Sequence, residues 1–187
     1  MKNFIFSLLL LLFSITNLSA KEIAGINIPE TYNYAGKTMQ LNGAGIRKKL
    51  FLKLYVGSLY LSTKSKDAKQ IIQSDTPMAI RLNITSSLIS PKKMKEATLE
   101  GFKKSTHNNI APIKPQIDSL LATFDKGVSK GDSYELINLP NNGVDVLRNG
   151  KKVANIKSPE FKAALFGIWL SDSPVQADLK KAMLGNL

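Results

Sequence analysis

The sequence predicts an α+β fold built on an antiparallel sheet, and three observations carry that expectation. Segments with strand patterning and segments with helix patterning come in runs and do not alternate, which argues against a doubly wound parallel sheet. Asn149-Gly150 separates two short strand-like segments and is the strongest two-residue hairpin signal in the chain. Ser90-Pro91 and Ser158-Pro159 each join a capping hydroxyl to a proline suited to the first helical position.

The elements follow in order. Glu22 to Ile28 carries Ile23, Ile26 and Ile28 and reads as a short strand ended by Pro29, with Tyr32 to Gly36 as a turn. Met39 to Asn42 reads as a second strand, stopping at Gly43-Ala44-Gly45. Leu50 to Leu61 is the most apolar stretch after the N-terminal segment and predicts one long strand with a bulge or close backbone approach at Gly57. Asp67 to Ser74 suits a short helix. Met78 to Thr85 alternates as a half-buried strand. The helix opened by Ser90 runs to about His107, with Met94, Ala97, Thr98, Gly101, Phe102 and Ser105 inward. Gln116 to Phe124 forms another helix on the stripe Ile117, Leu120, Leu121 and Phe124. Ser133 to Leu139, Val144 to Arg148 and Lys151 to Ile156 predict a meander. Ser158 opens a helix with the stripe Phe161, Ala164, Leu165, Ile168 and Trp169, and Ser173-Pro174 opens the last.

The 187 residues hold 26 Lys+Arg, 14 Asp+Glu, one His and no Cys, with a formal net charge of +12 and 43% hydrophobic residues. Zero cysteine excludes thiolate metal sites, thiol catalysis and disulfide frameworks. A single histidine, His107, excludes a multi-His metal site, and no metal or other cofactor is expected. Lys2, the apolar run from Phe4 to Phe13, and Leu18-Ser19-Ala20 have the layout of a secretory leader. Residues 1–20 are therefore expected to be a signal peptide and 21–187 a single exported, periplasmic domain. Export changes the meaning of the basic charge: anionic small molecules or an anionic membrane surface become the expected counterparts ahead of nucleic acid, for which no aromatic-rich basic motif is present. The lysines are spread along the chain, and their first reading is a solvated face.

Few constellations offer chemistry. Gly43-Ala44-Gly45 fails as a dinucleotide fingerprint because Lys48 stands where a third glycine is needed and a strand follows, so it reads as a turn or bulge. Arg47 enters the apolar strand after that glycine segment. Tyr55 lies eight residues on, an even separation that puts both on one face of a regular strand. A guanidinium and a phenol together suit a carboxylate or enolate oxygen, while neighbouring Leu and Phe enclose an apolar tail. The residues alone leave open the alternative that Arg47 belongs to a surface run with Lys48 and Lys49, and that Tyr55 is a core tyrosine. His107 reads as a helix-end residue, and Asp172 and Asp178 as structural acids flanking the start of the last helix. Ser58, Ser62, Ser86 and Ser87 lie in no nucleophile-elbow context.

Leu41 to Arg47 (LNGAGIR), Lys53 to Leu61 (KLYVGSLYL) and Phe166 to Val175 (FGIWLSDSPV) together resemble the chalcone isomerase-like family, in particular its small exported bacterial members. The resemblance implies an open-faced β-sandwich, with an antiparallel sheet, helices on one face and a cleft between them. It implies that Arg47 faces the cleft. In true chalcone isomerases that arginine works with a strand threonine, a tyrosine and an asparagine that steady an enolate. Here Tyr55 stands at the threonine position, the tyrosine falls near Pro91 and the asparagine near Thr98. Pro91 has no hydroxyl. An Arg with a strand Tyr is instead similar to the fatty-acid-binding branch, where the pair holds a carboxylate. The expectation is a non-catalytic exported protein that binds a fatty acid or other amphipathic carboxylate through Arg47 and Tyr55. One alternative is an intramolecular lyase or isomerase using Arg47, and another is a basic envelope protein meeting anionic lipid.

Overall fold

In a computed structural model, which describes residues 20–186, the chain forms one curled seven-stranded antiparallel sheet with helices packed against it. The leader expectation falls almost wholly on residues outside that range. A separate hairpin of β1 (Ala20–Ile23) and β2 (Ile26–Pro29) precedes the sheet. The sheet strands are β3 (Thr31–Tyr34), β4 (Lys37–Lys49), β5 (Leu52–Leu61), β6 (Met78–Ile84), β7 (Ser133–Leu139), β8 (Gly143–Arg148) and β9 (Lys151–Ile156). They lie side by side in chain order, every pair antiparallel. The helices are insertions in, or additions to, that meander: α1 (Ala68–Gln73) after β5, α2 (Pro91–Ser105) and α3 (Lys114–Ala122) after β6, then α4 (Pro159–Leu170) and α5 (Ala177–Met183) after β9. Among the described residues no helix is long and apolar enough to cross a membrane.

The capping signals act as the sequence predicts. The Ser90 hydroxyl accepts from the Lys93 N–H at 3.3 Å, and the Ser158 hydroxyl from Phe161 at 3.0 Å. Asn149 and Gly150, at φ of 51° and 74°, form the turn between β8 and β9, a backbone that this residue pair tolerates. The last helix departs from expectation: Ser173-Pro174 precedes it, and Gln176 occupies the N-cap.

The first half of the sheet also differs. Glu22 to Ile28 is two strands, split by a turn at Ala24-Gly25, and Tyr32 to Tyr34 is a strand. The Gly43-Ala44-Gly45 segment does not end a strand; β4 runs through it, with register shifts between Leu41 and Gly43 and between Arg47 and Lys48. The long apolar stretch begins with a turn, Leu50-Phe51, before β5, and Gly57 sits in regular register opposite Gly45. The turn was masked in the sequence because Leu and Phe are apolar and carry no turn chemistry.

The two faces of the sheet hold separate cores. On the helical side Tyr55, Leu59, Ile80, Leu82, Leu136 and Val146 meet Phe102, Phe161, Leu165, Phe166 and Ile168. On the other side Met39, Leu41, Val56, Tyr60, Ile137 and Leu147 meet Ile28 of the β1–β2 hairpin. Helix α4 is buried nearly all round and not along one stripe, because it packs between the sheet and α1, α2 and α5. Even Lys162 is buried there. Its ammonium donates to the Ile71, Ile72 and Ser74 carbonyls at 3.0, 2.8 and 2.7 Å, satisfying the open end of α1 and pinning it to α4.

Two glycines let α5 lie on β4. A Cβ at Gly43 would meet the Ala182 carbonyl, and one at Gly45 would stand 2.7 Å from the Ala182 Cβ. Both encounters lie on backbone or a short side chain, with no flexible end to yield. Gly57 has room, with its nearest neighbour at 3.5 Å. Gly43→Ala is expected to lower stability by about 1–3 kcal/mol, and Gly57→Ala by clearly less, in chemical denaturation followed by circular dichroism. Equal losses would contradict the tight α5–β4 contact.

Candidate functional site

A cavity of about 510 Å³ lies between the helical face of the sheet and α2, α3 and α4. That volume is within the roughly 300–1,000 Å³ usual for small-molecule sites. Leu82, Leu136, Leu120, Phe124, Leu165 and Ile168 give it apolar walls. Charged side chains line it too: Arg47, Lys49, Lys93 and Lys104, against Glu96 and Glu100. Cations therefore outnumber acids, four to two, among the lining residues.

Arg47 and Tyr55 both line this cavity. They reach it differently from the sequence argument. They are not two positions of one strand. Arg47 is on β4 and Tyr55 on β5, and the two are direct cross-strand partners. Such partners share a face with Cβ atoms about 4.5–5.5 Å apart. The Leu50-Phe51 turn thus brings together what even spacing along a strand would have separated by many ångströms.

Tyr55 is buried, and its phenol oxygen accepts a hydrogen bond from the Trp169 indole Nε1 at 2.9 Å. Burial raises its pKa, while the Trp169 bond and the charge of Arg47 act in the opposite direction. The phenol stays neutral at physiological pH. With Trp169 donating to its oxygen, the hydroxyl retains its own proton to offer into the cavity.

Arg47 is half-buried, and its placement depends on the bulge between Arg47 and Lys48. There the Lys48 N–H leaves the ladder and donates to Gln176 Oε1 at 2.8 Å. The same oxygen accepts from Arg47 Nη1 at 3.3 Å, and Gln176 Nε2 donates to the Ile46 carbonyl at 3.3 Å. Arg47 Nη1 also bonds the Lys48 carbonyl. These partners occupy one terminal nitrogen of a group with five N–H donors. Among the described residues no carboxylate lies within ion-pair distance of Arg47. Glu100 feels its field but pairs with Lys104 at 3.1 Å, and these bonds and charges hold its carboxyl below the usual range.

The other sequence candidates lie elsewhere. His107 is exposed just past α2, in the left-handed region at φ 51°, and donates its N–H to the Lys104 carbonyl. Asp172 and Asp178 are exposed. Ser58 is buried and directed at the Arg81 carbonyl, and Ser62 bonds the Pro77 carbonyl. Thr98 does line the cavity, whereas Pro91 starts α2 and brings no polar side chain. Among the described residues no three His, Asp or Glu side chains gather as a metal site. Sequence reasoning missed Trp169 and Gln176 as site residues. Trp169 was visible as the single Trp of the chain on an apolar stripe, but nothing in the pattern aimed its indole at Tyr55. Gln176 carried no signal.

Comparison with known proteins places the family and the fold. The family described as chalcone isomerase-like matches residues 20–185. A solved structure similar to this chain is a fatty-acid binding protein of Arabidopsis thaliana, with a TM-score of 0.70 and 16% sequence identity, covering 90% of this chain and 96% of that one. At that identity the likeness concerns the fold. No curated protein matches the chain in sequence.

All five tyrosines hold their protons more tightly in the folded state, burial being the leading cause for each; Tyr32 and Tyr34 are pushed up to about 12. The unfolded chain releases these protons near pH 10. Stability from this source is therefore complete below about pH 10 and falls as pH rises toward 12. Ultraviolet titration should show little phenolate until the fold is lost. Phenolate absorbance growing at pH 10 with the native circular dichroism intact would contradict the burial.

Proposed function

The chain belongs to the chalcone isomerase-like family, and from that premise we propose that it is a non-catalytic binding protein for a fatty acid or similar amphipathic carboxylate. The observation that carries the reading is the Arg47–Tyr55 pair at the wall of an otherwise apolar cavity, with Arg47 bound to no acid among the described residues. A carboxylate has two acceptor oxygens. A guanidinium and a neutral phenol can serve both, and charge-assisted bonds in a partly desolvated site are stronger than neutral ones. The aliphatic tail then lies against Leu82, Leu136, Phe124 and Leu165, where each buried methylene contributes about 0.8 kcal/mol. The fatty-acid binding protein of similar fold supports the choice of ligand class.

The isomerase alternative needs several donors converging on an enolate. Pro91 cannot donate a hydroxyl proton, which leaves that set short of the tyrosine that true isomerases bring to the enolate. We also retain residues 1–20 as an export leader and the periplasm as the place of action. The mass of the mature protein purified from its own cells tests this: a chain starting near Lys21 is expected, and an intact Met1 would reject cleavage.

The binding test is calorimetric titration of delipidated protein with saturated fatty acids of graded length. Affinity should rise with chain length until the cavity is filled. Arg47→Ala should weaken it by about 10- to 100-fold, as loss of a charged hydrogen bond does. Tyr55→Phe should weaken it by less. Equal affinity for wild type and Arg47→Ala would reject the assigned role, and Arg47-dependent cyclisation of a chalcone would turn the reading toward an enzyme.

A further inference from the structure

The β4–β5 turn carries apolar side chains where a water-exposed turn has no use for them. Phe51 is fully exposed and Leu50 is 87% exposed, while Leu52 and, across the cavity entrance, Leu88 are half or nearly half exposed. Leu50 also adopts φ 54°, a backbone state that Asn or Gly takes readily and a branched side chain rarely does. The fold thus tolerates both an unfavourable turn residue and unburied rings and branches at one point. Contiguous exposed apolar groups of this kind mark an interaction site.

The surroundings say what kind of surface fits. Lys48, Lys49 and Lys53 flank the tip and are exposed, and Lys93 stands beside Leu88, donating to its carbonyl at 3.2 Å. No Asp or Glu occurs between Glu30 and Asp67, so the hairpin is purely cationic. Apolar tips with a collar of lysines match the interface of an anionic bilayer, where apolar groups enter the acyl boundary and lysines meet the headgroups. Glu96 and Glu100 also line the cavity, but Glu100 pairs with Lys104 and neither belongs to the hairpin. A protein partner with an apolar socket would not by itself call for the lysines around the tip. Position adds a second argument: Lys49, Leu50, Leu52, Leu88 and Lys93 all line the cavity described above. What touches the tip also touches the entrance.

We propose that the Leu50-Phe51-Leu52 tip, with Leu88, docks the protein peripherally on an anionic membrane surface, setting the cavity entrance against the lipid. The docking depends on the hairpin alone; only its purpose, exchange of an amphipathic guest with the bilayer, rests on the function proposed above.

Co-sedimentation with vesicles of phosphatidylglycerol and phosphatidylcholine, compared with phosphatidylcholine alone, tests it. Wild type should bind the anionic vesicles, more weakly in high salt. Phe51→Asp should reduce partitioning at least 10-fold while leaving the melting temperature unchanged, since the ring touches nothing. Lys48→Gln with Lys49→Gln should weaken binding and flatten its salt dependence. In Phe51→Trp, tryptophan emission should shift to the blue on adding anionic vesicles and be quenched by brominated acyl chains, above the constant signal of buried Trp169. Undiminished binding by Phe51→Asp, or emission of Phe51→Trp indifferent to vesicles, would overturn the docking. A dimer abolished by Phe51→Asp with vesicle binding unaltered would overturn it in favour of contact between two copies of the chain. Binding of fatty acid that survives all these variants would leave the cavity's role standing apart from the docking.

Discussion

The close approach of α5 to β4 organises the site. It is possible only because Gly43 and Gly45 present bare backbone to Ala182 and Leu179. That contact sets the start of α5 beside the β4 bulge, where Gln176 takes up the Lys48 N–H that the ladder releases. The same amide reaches Arg47 and the Ile46 carbonyl. One packing decision between a glycine-bearing strand and a short helix therefore fixes where a guanidinium sits. Asn42 strengthens it, donating to the carbonyls of Ser65 and Met183 at 2.9 Å each. The motif Asn42-Gly43-Ala44-Gly45 is a docking surface for α5, and Arg47 stands two places beyond it.

The cavity's electrostatics follow from what is left unpaired. Elsewhere in the fold, acids and bases answer one another: Arg148 pairs with Asp132 at 2.9 Å, and Arg81 with Glu135 at 3.3 Å. At the cavity Glu100 is taken by Lys104. Arg47 is thus left with amide and carbonyl partners, which satisfy some of its protons without neutralising its charge. On the proposed function, a half-buried cation beside a buried neutral phenol and aliphatic walls would discriminate by both ends of a ligand. A small anion would gain the head-group contacts and little else, and a neutral hydrocarbon would leave the guanidinium unanswered.

Much of the fold was legible because its signals are local. The Ser90-Pro91 and Ser158-Pro159 caps, the Asn149-Gly150 turn and the alternation of Met78 to Ile84 each depend on a few adjacent residues, and each appears where it was read. The region from Lys37 to Leu61 was misread for the converse reason. Its glycines looked like strand ends but serve a contact with residues more than a hundred positions away. Its real turn is built from Leu50 and Phe51, whose apolar character made a hairpin look like one strand. The pairing of Arg47 with Tyr55 was anticipated for a wrong geometric reason, since cross-strand register and not spacing along a strand unites them. Gln176 and the Trp169–Tyr55 bond could not be read at all. Both are long-range contacts, and no property of a glutamine or an indole names its partner in advance.

The central claim is that Arg47 meets a ligand carboxylate inside the cavity. The most direct measurement is carbon NMR of a long-chain fatty acid labelled at its carboxyl, bound to the protein and followed as pH is lowered. The account predicts a distinct bound resonance whose titration midpoint lies below the ordinary carboxylate range, because a neighbouring guanidinium favours the ionised form. In Arg47→Ala that midpoint should rise. A bound carboxyl that titrates identically with and without Arg47 would contradict the account.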